Sequence, residues 1–375
     1  MDNLTKLFSF ELPTKIIYGA NCLDNLCIEL KENEGKKPII ITDKGVEKAG
    51  ILKKITDLLD KDDFPYVIYD GVEANPKDVN VEEGAKIARE NDCDCIIAVG
   101  GGSPIDCAKS VGVLLAHNDT EIKKYEGKTA ATKPLPLFIT IPTTSGTGSE
   151  ITFSSVITDT KNKYKMTVKS KYTAAKVAIC DPVLTLSVPP AVTAATGMDA
   201  LTHAIEGYIT AGAWELSDMF HLKAIEIIAR SLRGAVDNTP EGREGMALGQ
   251  YVAGMGFSNV GLGIVHSMAH PLGALYDTPH GIANAIILPT VMEYNAEATG
   301  EKYRDIAKAM GVEGTENMSQ EEYRKAAVDA VKQLSKDVGI PTDLKDIVKK
   351  EDIPFLAQSA YDDACRPGNP KETSV

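Results

Sequence analysis

The chain has 375 residues, of which 43% are hydrophobic and 25% charged, and it carries a formal net charge of −13. These are ordinary values for a soluble globular protein, and the acidity argues against nucleic acid or an anionic membrane surface as a partner, since either requires a basic face. The seven cysteines are scattered without a Cys-x-x-Cys pair, the apolar runs are strand-length and the first residues are too polar for a signal peptide, which together indicate a reduced cytoplasmic protein.

Short apolar runs alternate with helical patterns in the first half of the chain. Strands are predicted at 38–42, 66–69, 95–99, 137–141 and 177–179. Helices are predicted at 44–60, at about 79–91 and from about 104. This alternation predicts a parallel sheet flanked by helices. Residues 8–10 and 15–18 are expected to form an additional edge hairpin.

Strand signals stop near the proline-rich stretch 181–190, and long amphipathic patterns follow. Helices are predicted at 191–209, 217–236, 241–259, 263–275, 281–298, 301–311 and 319–338. We therefore expect an α/β domain over 1–185 and an all-helical domain over 186–375. Because no flexible linker separates them, a rigid cleft between the two is expected.

Two glycine-rich segments each follow a predicted strand. Residues 100–103, Gly-Gly-Gly-Ser, open a helix, where backbone N–H groups and the helix N-terminus can bind a pyrophosphate. A tight strand-to-helix turn would show the same pattern. Residues 142–150 add hydroxyls and glycines that suit a nucleotide, although solvated loops share that composition. Since ligands of parallel sheets bind at the carboxyl ends of strands, the two segments together predict a nucleotide site.

Asp43 ends the first predicted strand. A carboxylate there can accept hydrogen bonds from an adenosine ribose and would repel a 2′-phosphate, which favours NAD over NADP. A helix N-cap is the alternative, and Asp43 could serve as both. Lys163 and Lys165 are expected in a polar turn, from which one of them could reach the nicotinamide ribose.

A carboxylate and three imidazoles form the predicted metal site. Asp199 and His203 lie four residues apart, which places them on one helix face, and His266 and His280 follow downstream. Taken alone, each pair could be a surface pair, but the chain has six histidines in all. Such a ligand set suits Fe(II), Zn or Co, and the lack of cysteine argues against a structural zinc site.

With the segments 100–106, 142–150, 197–206 and 266–274, the chain resembles the iron-containing (group III) alcohol dehydrogenase family over essentially its whole length. The resemblance implies a Rossmann-like parallel-sheet domain followed by an all-α domain, the dehydroquinate synthase-like arrangement. It also implies Fe2+, with Zn2+ as an alternative that the ligands would accept, together with NAD(H) and a homodimer built through N-terminal strands.

The family's functional residues carry over to this sequence by motif. The metal ligands fall on Asp199, His203, His266 and His280, and the histidine assigned to proton relay falls on His270. The cofactor contacts fall on Asp43, Gly100, Gly101, Gly102, Ser103, Thr143, Thr144, Thr147, Lys165 and Leu186. Candidates for the substrate pocket are Ser154, Phe257, Leu262 and Cys365.

Within the family, residues 207–218 and 246–263 favour the branch that interconverts lactaldehyde and 1,2-propanediol. That branch carries a bulkier polar residue where this chain has Ser154, and family chains continue beyond 368–372 with a final helix. The expected chemistry is hydride transfer between a short aldehyde or alcohol and the nicotinamide.

Other enzymes of the superfamily are the alternatives. Dehydrogenases of 1,3-propanediol, butanol or glycerol would share the architecture. A dehydroquinate-synthase-like lyase is disfavoured because its phosphorylated substrate needs basic residues, and those between 197 and 285 are not beside the predicted ligands. A non-enzymatic assembly module would not need the intact ligand set.

Overall fold

A six-stranded parallel sheet is the centre of the first half of the chain. The structure is a computed structural model that describes residues 7–128 and 130–375. The strands lie in the order β1-β8-β5-β4-β2-β3, and β6 and β7 form a separate antiparallel hairpin. Their bounds are β1 Lys15–Tyr18, β2 Pro38–Ile41, β3 Val67–Tyr69, β4 Cys95–Gly100, β5 Leu137–Pro142, β6 Ser154–Asp159, β7 Tyr164–Lys169 and β8 Val177–Cys180.

Helices flank this sheet and make up most of the rest of the chain. Those before residue 181 are α1 Leu26–Glu32, α2 Lys44–Lys48, α3 Ile51–Lys61, α4 Asp78–Glu90 and α5 Gly102–His117. Those after it are α6 Pro190–Ile209, α7 Glu215–Val236, α8 Pro240–Val260, α9 Ile264–Tyr276, α10 His280–Asn295, α11 Lys302–Ala309, α12 Gln320–Asp337 and α13 Ile353–Asp362. No helix in the described ranges is long and apolar enough to cross a membrane.

The central strands are buried on both faces, which explains their continuous apolar sequence. Ile39 and Ile41 pack into the core cluster that includes Val81 of α4, whereas Ile40 packs into the cluster that includes Leu26 of α1. Successive side chains of a strand point to opposite faces, so a parallel sheet between helix layers needs apolar residues at every position. The expected α/β arrangement is confirmed.

The predicted N-terminal hairpin is wrong. Strand β1 instead pairs in parallel with β8 at the edge of the main sheet. Residues 8–10 are not a strand: Phe8 stacks on Trp214 with ring centroids 4.8 Å apart, and Phe10 stacks on Phe220 at 5.4 Å. The aromatic side chains thus find partners on and beside α7, which a local alternation pattern cannot reveal.

Two further local predictions are partly wrong. The helix expected at 44–60 is broken between α2 and α3, where Gly50 adopts φ 76°, a left-handed conformation that glycine accepts without steric cost. The polar turn expected to hold Lys163 and Lys165 holds only Lys163, at φ 55°, whereas Lys165 lies on β7. The β6–β7 hairpin was not predicted, although β7 alternates Tyr164, Met166 and Val168 with polar residues as a half-buried strand does.

The helical half packs around α6, whose residues from 197 to 209 are all buried. The seven predicted helices form with end shifts of a few residues, and α10 stops at Asn295 before a short 3₁₀ turn. Helix α13 was not predicted. A helix buried on all sides must be apolar or have its polar groups satisfied inside the core. The buried ionisable residues of α6 therefore need partners within the core.

Candidate active site

Three helices bring four predicted ligands to one place in the core. Asp199 and His203 lie one turn apart on α6, with Oδ2 of Asp199 4.0 Å from Nδ1 of His203. The Nε2 atoms of His266 and His280 each lie 3.8 Å from Oδ1 of Asp199. Donor atoms of Asp199, His266 and His280 all lie within 4.8 Å of one another, so one small cation could contact all three.

His203 borders this three-residue group. Its ring centroid is 4.5 Å from that of His266, and its ring stacks on Phe257 with centroids 4.3 Å apart. The Nδ1 atom of His203 is buried without a hydrogen-bond partner. A buried imidazole nitrogen that has no protein partner is an available ligand, so the four side chains fit a divalent cation.

The electrostatics of the group also suit a cation. Burial lowers the pKa of the His203 imidazole and holds those of His266 and His280 well below the ordinary value, helped by the neighbouring imidazoles. Burial raises the pKa of Asp199. The imidazoles are therefore neutral near pH 7 and keep a lone pair free, as metal ligation requires.

Glu206, one further turn along α6, was missed by the sequence analysis. Its Oε2 atom lies 2.5 Å from Nδ1 of His266, and its Oε1 atom accepts a 2.7 Å hydrogen bond from the backbone N–H of Val265. Burial raises the pKa of Glu206 to about 8, against the backbone N–H groups that favour its charge. A carboxylate behind a ligating histidine fixes the ring and directs Nε2 to the cation. Glu206 lies seven residues after Asp199 on the same face of α6, and this spacing could have identified it from the sequence.

Asn284 also joins the group unexpectedly. Its amide nitrogen lies 2.7 Å from Oδ1 of Asp199 and within 3.2 Å of Nε2 of both His266 and His280. It follows His280 by one helical turn on α10, so the same spacing rule that linked Asp199 with His203 could have indicated it.

His270 lies beside the group and has a different partner. Its ring stacks on that of His280 with centroids 5.4 Å apart, and its Nδ1 atom lies 2.7 Å from Oδ2 of Asp363. Burial opposes the charge of Asp363, but His270 and the backbone N–H of Cys365 hold its pKa below the usual range. Asp363 follows α13 in an irregular segment, and nothing local in the sequence marked it.

The two glycine-rich loops meet at the carboxyl edge of the sheet. Gly100 pairs with Pro142 across β4 and β5, and the N–H of Thr143 donates to the carbonyl of Gly100 at 2.9 Å. A Cβ atom added to Gly102 would lie 2.7 Å from Cγ2 of Thr147, so only glycine permits this approach. The segment then opens α5, whose N-terminal N–H groups face the same edge.

Asp43 and Leu186 follow β2 and β8 at this edge, whereas Lys165 lies on β7 of the separate hairpin. Asp43 caps α2 by accepting the N–H of Val46 at 2.9 Å, so the N-cap alternative does form. Leu186 is exposed on the 3₁₀ helix Pro182–Ser187 that follows β8. Lys165 is largely buried, which lowers its pKa to about 8, and its ammonium donates to Oδ1 of Asn75 at 2.7 Å.

One cavity of about 820 Å³ joins the nucleotide edge to the ligand group. Of the ten predicted cofactor residues, all of them described, four line it: Gly102, Ser103, Thr147 and Lys165. All four candidates for the substrate pocket line it too: Ser154, Phe257, Leu262 and Cys365. Asp43, Gly100, Gly101, Thr143, Thr144 and Leu186 lie outside its lining.

A buried lysine supports the loop 142–150 and was also missed. The ammonium of Lys109, on α5, donates to the hydroxyls of Ser149 and Thr152 at 3.0 and 2.9 Å and to the carbonyl of Ser154 at 2.8 Å. Burial lowers its pKa to about 8. Asp106 accepts from Ser149 as well, so the loop is held by a charged, hydrogen-bonded network.

Comparison with known proteins agrees with this arrangement. Residues 13–182 match the family described as Iron-containing alcohol dehydrogenase, and residues 193–375 match the C-terminal part of the Fe-containing alcohol dehydrogenase family. The chain belongs to the iron-containing alcohol dehydrogenase family. Both the resemblance and the fold inferred from the sequence are thereby confirmed.

Two curated members of the iron-containing alcohol dehydrogenases show how similar the whole chain is. Lactaldehyde reductase of Escherichia coli K12 is 51% identical over 360 residues, which covers 96% of this chain and 94% of that protein. The 1,3-propanediol dehydrogenase of Citrobacter freundii is 42% identical over 372 residues, covering 98% and 96%.

Solved structures of the family superpose closely. A 1,3-propanediol oxidoreductase aligns with a TM-score of 0.94 at 42% identity, covering 98% of this chain and 97% of that one. Sulfoacetaldehyde reductase from Bifidobacterium kashiwanohense, solved in complex with NAD+, aligns with a TM-score of 0.85 at 29% identity, covering 98% and 95%.

Proposed function

We propose that the chain is an NAD(H)- and Fe2+-dependent oxidoreductase that interconverts lactaldehyde and 1,2-propanediol. The observation that carries this proposal is the single cavity in which the nucleotide edge of the sheet meets the group Asp199, His266 and His280. The 51% identity to a lactaldehyde reductase favours this substrate pair within the family.

Each part of the cavity has its own task. Asp199, His203, His266 and His280 would hold the cation, and Glu206 would keep the His266 ring in place. When bound, Fe2+ supplies Lewis acidity and NAD(H) supplies or accepts hydride.

The loops around residues 100–103 and 142–150 would bind the cofactor phosphates through backbone N–H groups and hydroxyls. Asp43 would lie near the adenosine ribose and disfavour a 2′-phosphate, and Lys165 would reach the nicotinamide ribose. Under this proposal residues 1–185 carry the cofactor and residues 186–375 the cation.

His270 would move the substrate proton to and from solvent, held in orientation by Asp363. Phe257, Leu262, Ser154 and Cys365 would surround the carbon chain of a short substrate and exclude water from it. We further infer a homodimer, on family likeness, and a cytoplasmic location, on the seven unpaired cysteines.

A second candidate substrate pair is 3-hydroxypropanal and 1,3-propanediol. The close superposition on a 1,3-propanediol oxidoreductase favours it, as does the small side chain of Ser154, which leaves room in the cavity for a differently shaped diol.

The test is metal analysis of anaerobically purified protein combined with NADH oxidation on lactaldehyde, glycolaldehyde, 3-hydroxypropanal and butanal. We expect bound iron and the highest kcat/KM with lactaldehyde; preference for butanal would contradict the diol assignment. His266→Ala should lose iron and activity but keep NADH binding. His117→Ala removes an imidazole whose ring contacts Val113 and Thr132 instead, and serves as the matched control.

A further inference from the structure

A second group of metal-binding side chains lies in the same cavity. Donor atoms of His270, Asp363 and Cys365 all lie within 4.8 Å of one another. We propose that these three residues form a separate site for a thiophilic divalent cation of the Zn2+ class.

The three donors are held in place before any cation arrives. Oδ2 of Asp363 lies 2.7 Å from Nδ1 of His270, while Oδ1 accepts the N–H of Cys365 at 2.8 Å. The 3₁₀ turn Arg366–Gly368, which follows Cys365, is anchored to the end of α6. The carbonyl of Gly368 accepts from the hydroxyl of Thr210 and from the N–H of Ala211, both at 2.8 Å. Preorganised donors lower the cost of closing around an ion.

The geometry is within reach of a tetrahedral ion. Ligand atoms on one zinc stand about 3.3–3.6 Å apart, as its bond lengths require. The three donor atoms already lie within 4.8 Å of one another, so the side chains would close in on the ion, and the cavity that they line leaves space for a fourth ligand such as water. All three side chains are largely buried, so solvent competes weakly for the ion.

The chemistry of the donors separates this site from the first one. Asp199, His203, His266 and His280 offer only oxygen and nitrogen, which suits Fe2+, whereas Cys365 adds sulfur, which prefers Zn2+, Cd2+ or Co2+. Binding breaks the Sγ–H bond of Cys365, releases that proton to solvent and forms a sulfur–cation bond, while the ring proton of His270 stays on, or moves to, the nitrogen that does not bind the cation. No group changes oxidation state.

Occupation of this site would have a consequence that rests on the proposed function. A cation on His270 would take the imidazole away from proton relay, so a zinc-class ion would inhibit the iron-loaded enzyme. The inhibition would arise without displacement of the iron.

Sulfur ligation gives a direct test on the iron-loaded protein. Added Co2+ should produce a thiolate-to-cobalt charge-transfer band in the near ultraviolet, which the oxygen and nitrogen ligands of the first site cannot produce. The band should persist in Cys93→Ser, a control at a half-buried cysteine, and disappear in Cys365→Ser with the loss of one equivalent of bound cobalt. Asp363→Asn, which keeps the thiol, should need more cobalt to reach the same band.

Two results would overturn the site: no band in the wild-type protein, or a band of equal intensity in Cys365→Ser. For the inhibitory role, the rate of each protein with Zn2+ is compared with its own zinc-free rate. Wild type and Cys93→Ser should lose activity, and Cys365→Ser should lose less; a band without inhibition overturns this role. Absence of activity in zinc-free wild type would instead contradict the proposed function.

Discussion

Oε2 of Glu206 lies 2.5 Å from Nδ1 of His266, and this contact fixes the face that His266 turns toward Asp199. Glu206→Gln keeps the size of the side chain but leaves a single oxygen to accept hydrogen bonds from Val265 and His266, where the carboxyl group has two. We expect metal affinity to fall by about 10- to 100-fold, as for other groups that orient a ligating histidine. Chelator competition with Fe2+ measures the change, with the exposed Glu321→Gln as control. Equal affinity in both variants would contradict the role of Glu206.

The contact between Asp363 and His270 predicts a loss of rate with little change in cofactor binding. In Asp363→Asn the amide can hydrogen-bond to Nδ1 as either partner, so the ring is no longer held in one tautomer. We expect kcat to fall by about 10-fold or more, less than the 10²–10⁴ that removal of a proton-transfer group costs. Steady-state kinetics and NADH titration measure both quantities. An unchanged kcat would exclude Asp363 as a positioning residue.

His221 is buried between two glycines of the helical core. A Cβ atom on Gly207 or on Gly256 would lie 2.3 Å from its Nε2 atom. Gly207→Ala should therefore destabilise the protein by about 1–3 kcal/mol through overpacking. Urea unfolding measures the free energy. The double variant Gly207→Ala with His221→Ala should recover part of the loss, whereas strictly additive effects would show that the two residues do not compete for space.

The buried ammonium of Lys109 predicts a pH dependence of stability. Its pKa is about 8 in the folded protein against 10.5 for the free side chain. Between these values the unfolded chain holds a proton that the folded chain has released, so stability rises with pH by up to about 1.4 kcal/mol per unit. Wild type should thus gain stability relative to Lys109→Met from pH 8 to 10.5. Urea unfolding at each pH measures the free energy of unfolding of both proteins. An equal change of this free energy with pH in wild type and Lys109→Met would refute the low pKa of Lys109.

The carboxylate of Asp43 is expected to set the preference for NADH over NADPH. Asp43→Asn removes the charge that would repel a 2′-phosphate, and asparagine still serves as an N-cap for α2. We expect the ratio of kcat/KM for NADPH to that for NADH to rise at least about tenfold, or ~1.4 kcal/mol. Asp57→Asn, an exposed change on α3, is the control. A ratio that moves equally in both variants would place Asp43 away from the ribose.

Sequence patterns identified the sheet, seven of the later helices and the side chains around Asp199. The periodicity of apolar residues and the spacing of ligands along a helix are local properties of the sequence. Glu206 and Asn284 follow the same helical spacing and could have been found. Asp363 could not, since it meets His270 only through the packing of α13 against α9. The edge hairpin failed for a similar reason: Phe8 and Phe10 contact aromatic residues far along the chain.

The strand order has a consequence for biosynthesis. Strand β1 pairs with β8, so the hydrogen-bond ladder of the sheet closes only when residues 177–180 have been made, and it uses no strand after them. The parallel sheet can therefore form during translation before His266 and Asp363 are made, whereas the loop at 142–150 waits for Gln250 of α8, which accepts the N–H of Gly148 at 2.7 Å. Iron would then be loaded late, onto a chain whose parallel sheet is already formed. Metal starvation should accordingly yield a folded, nucleotide-competent apoprotein in the cell instead of an unfolded one.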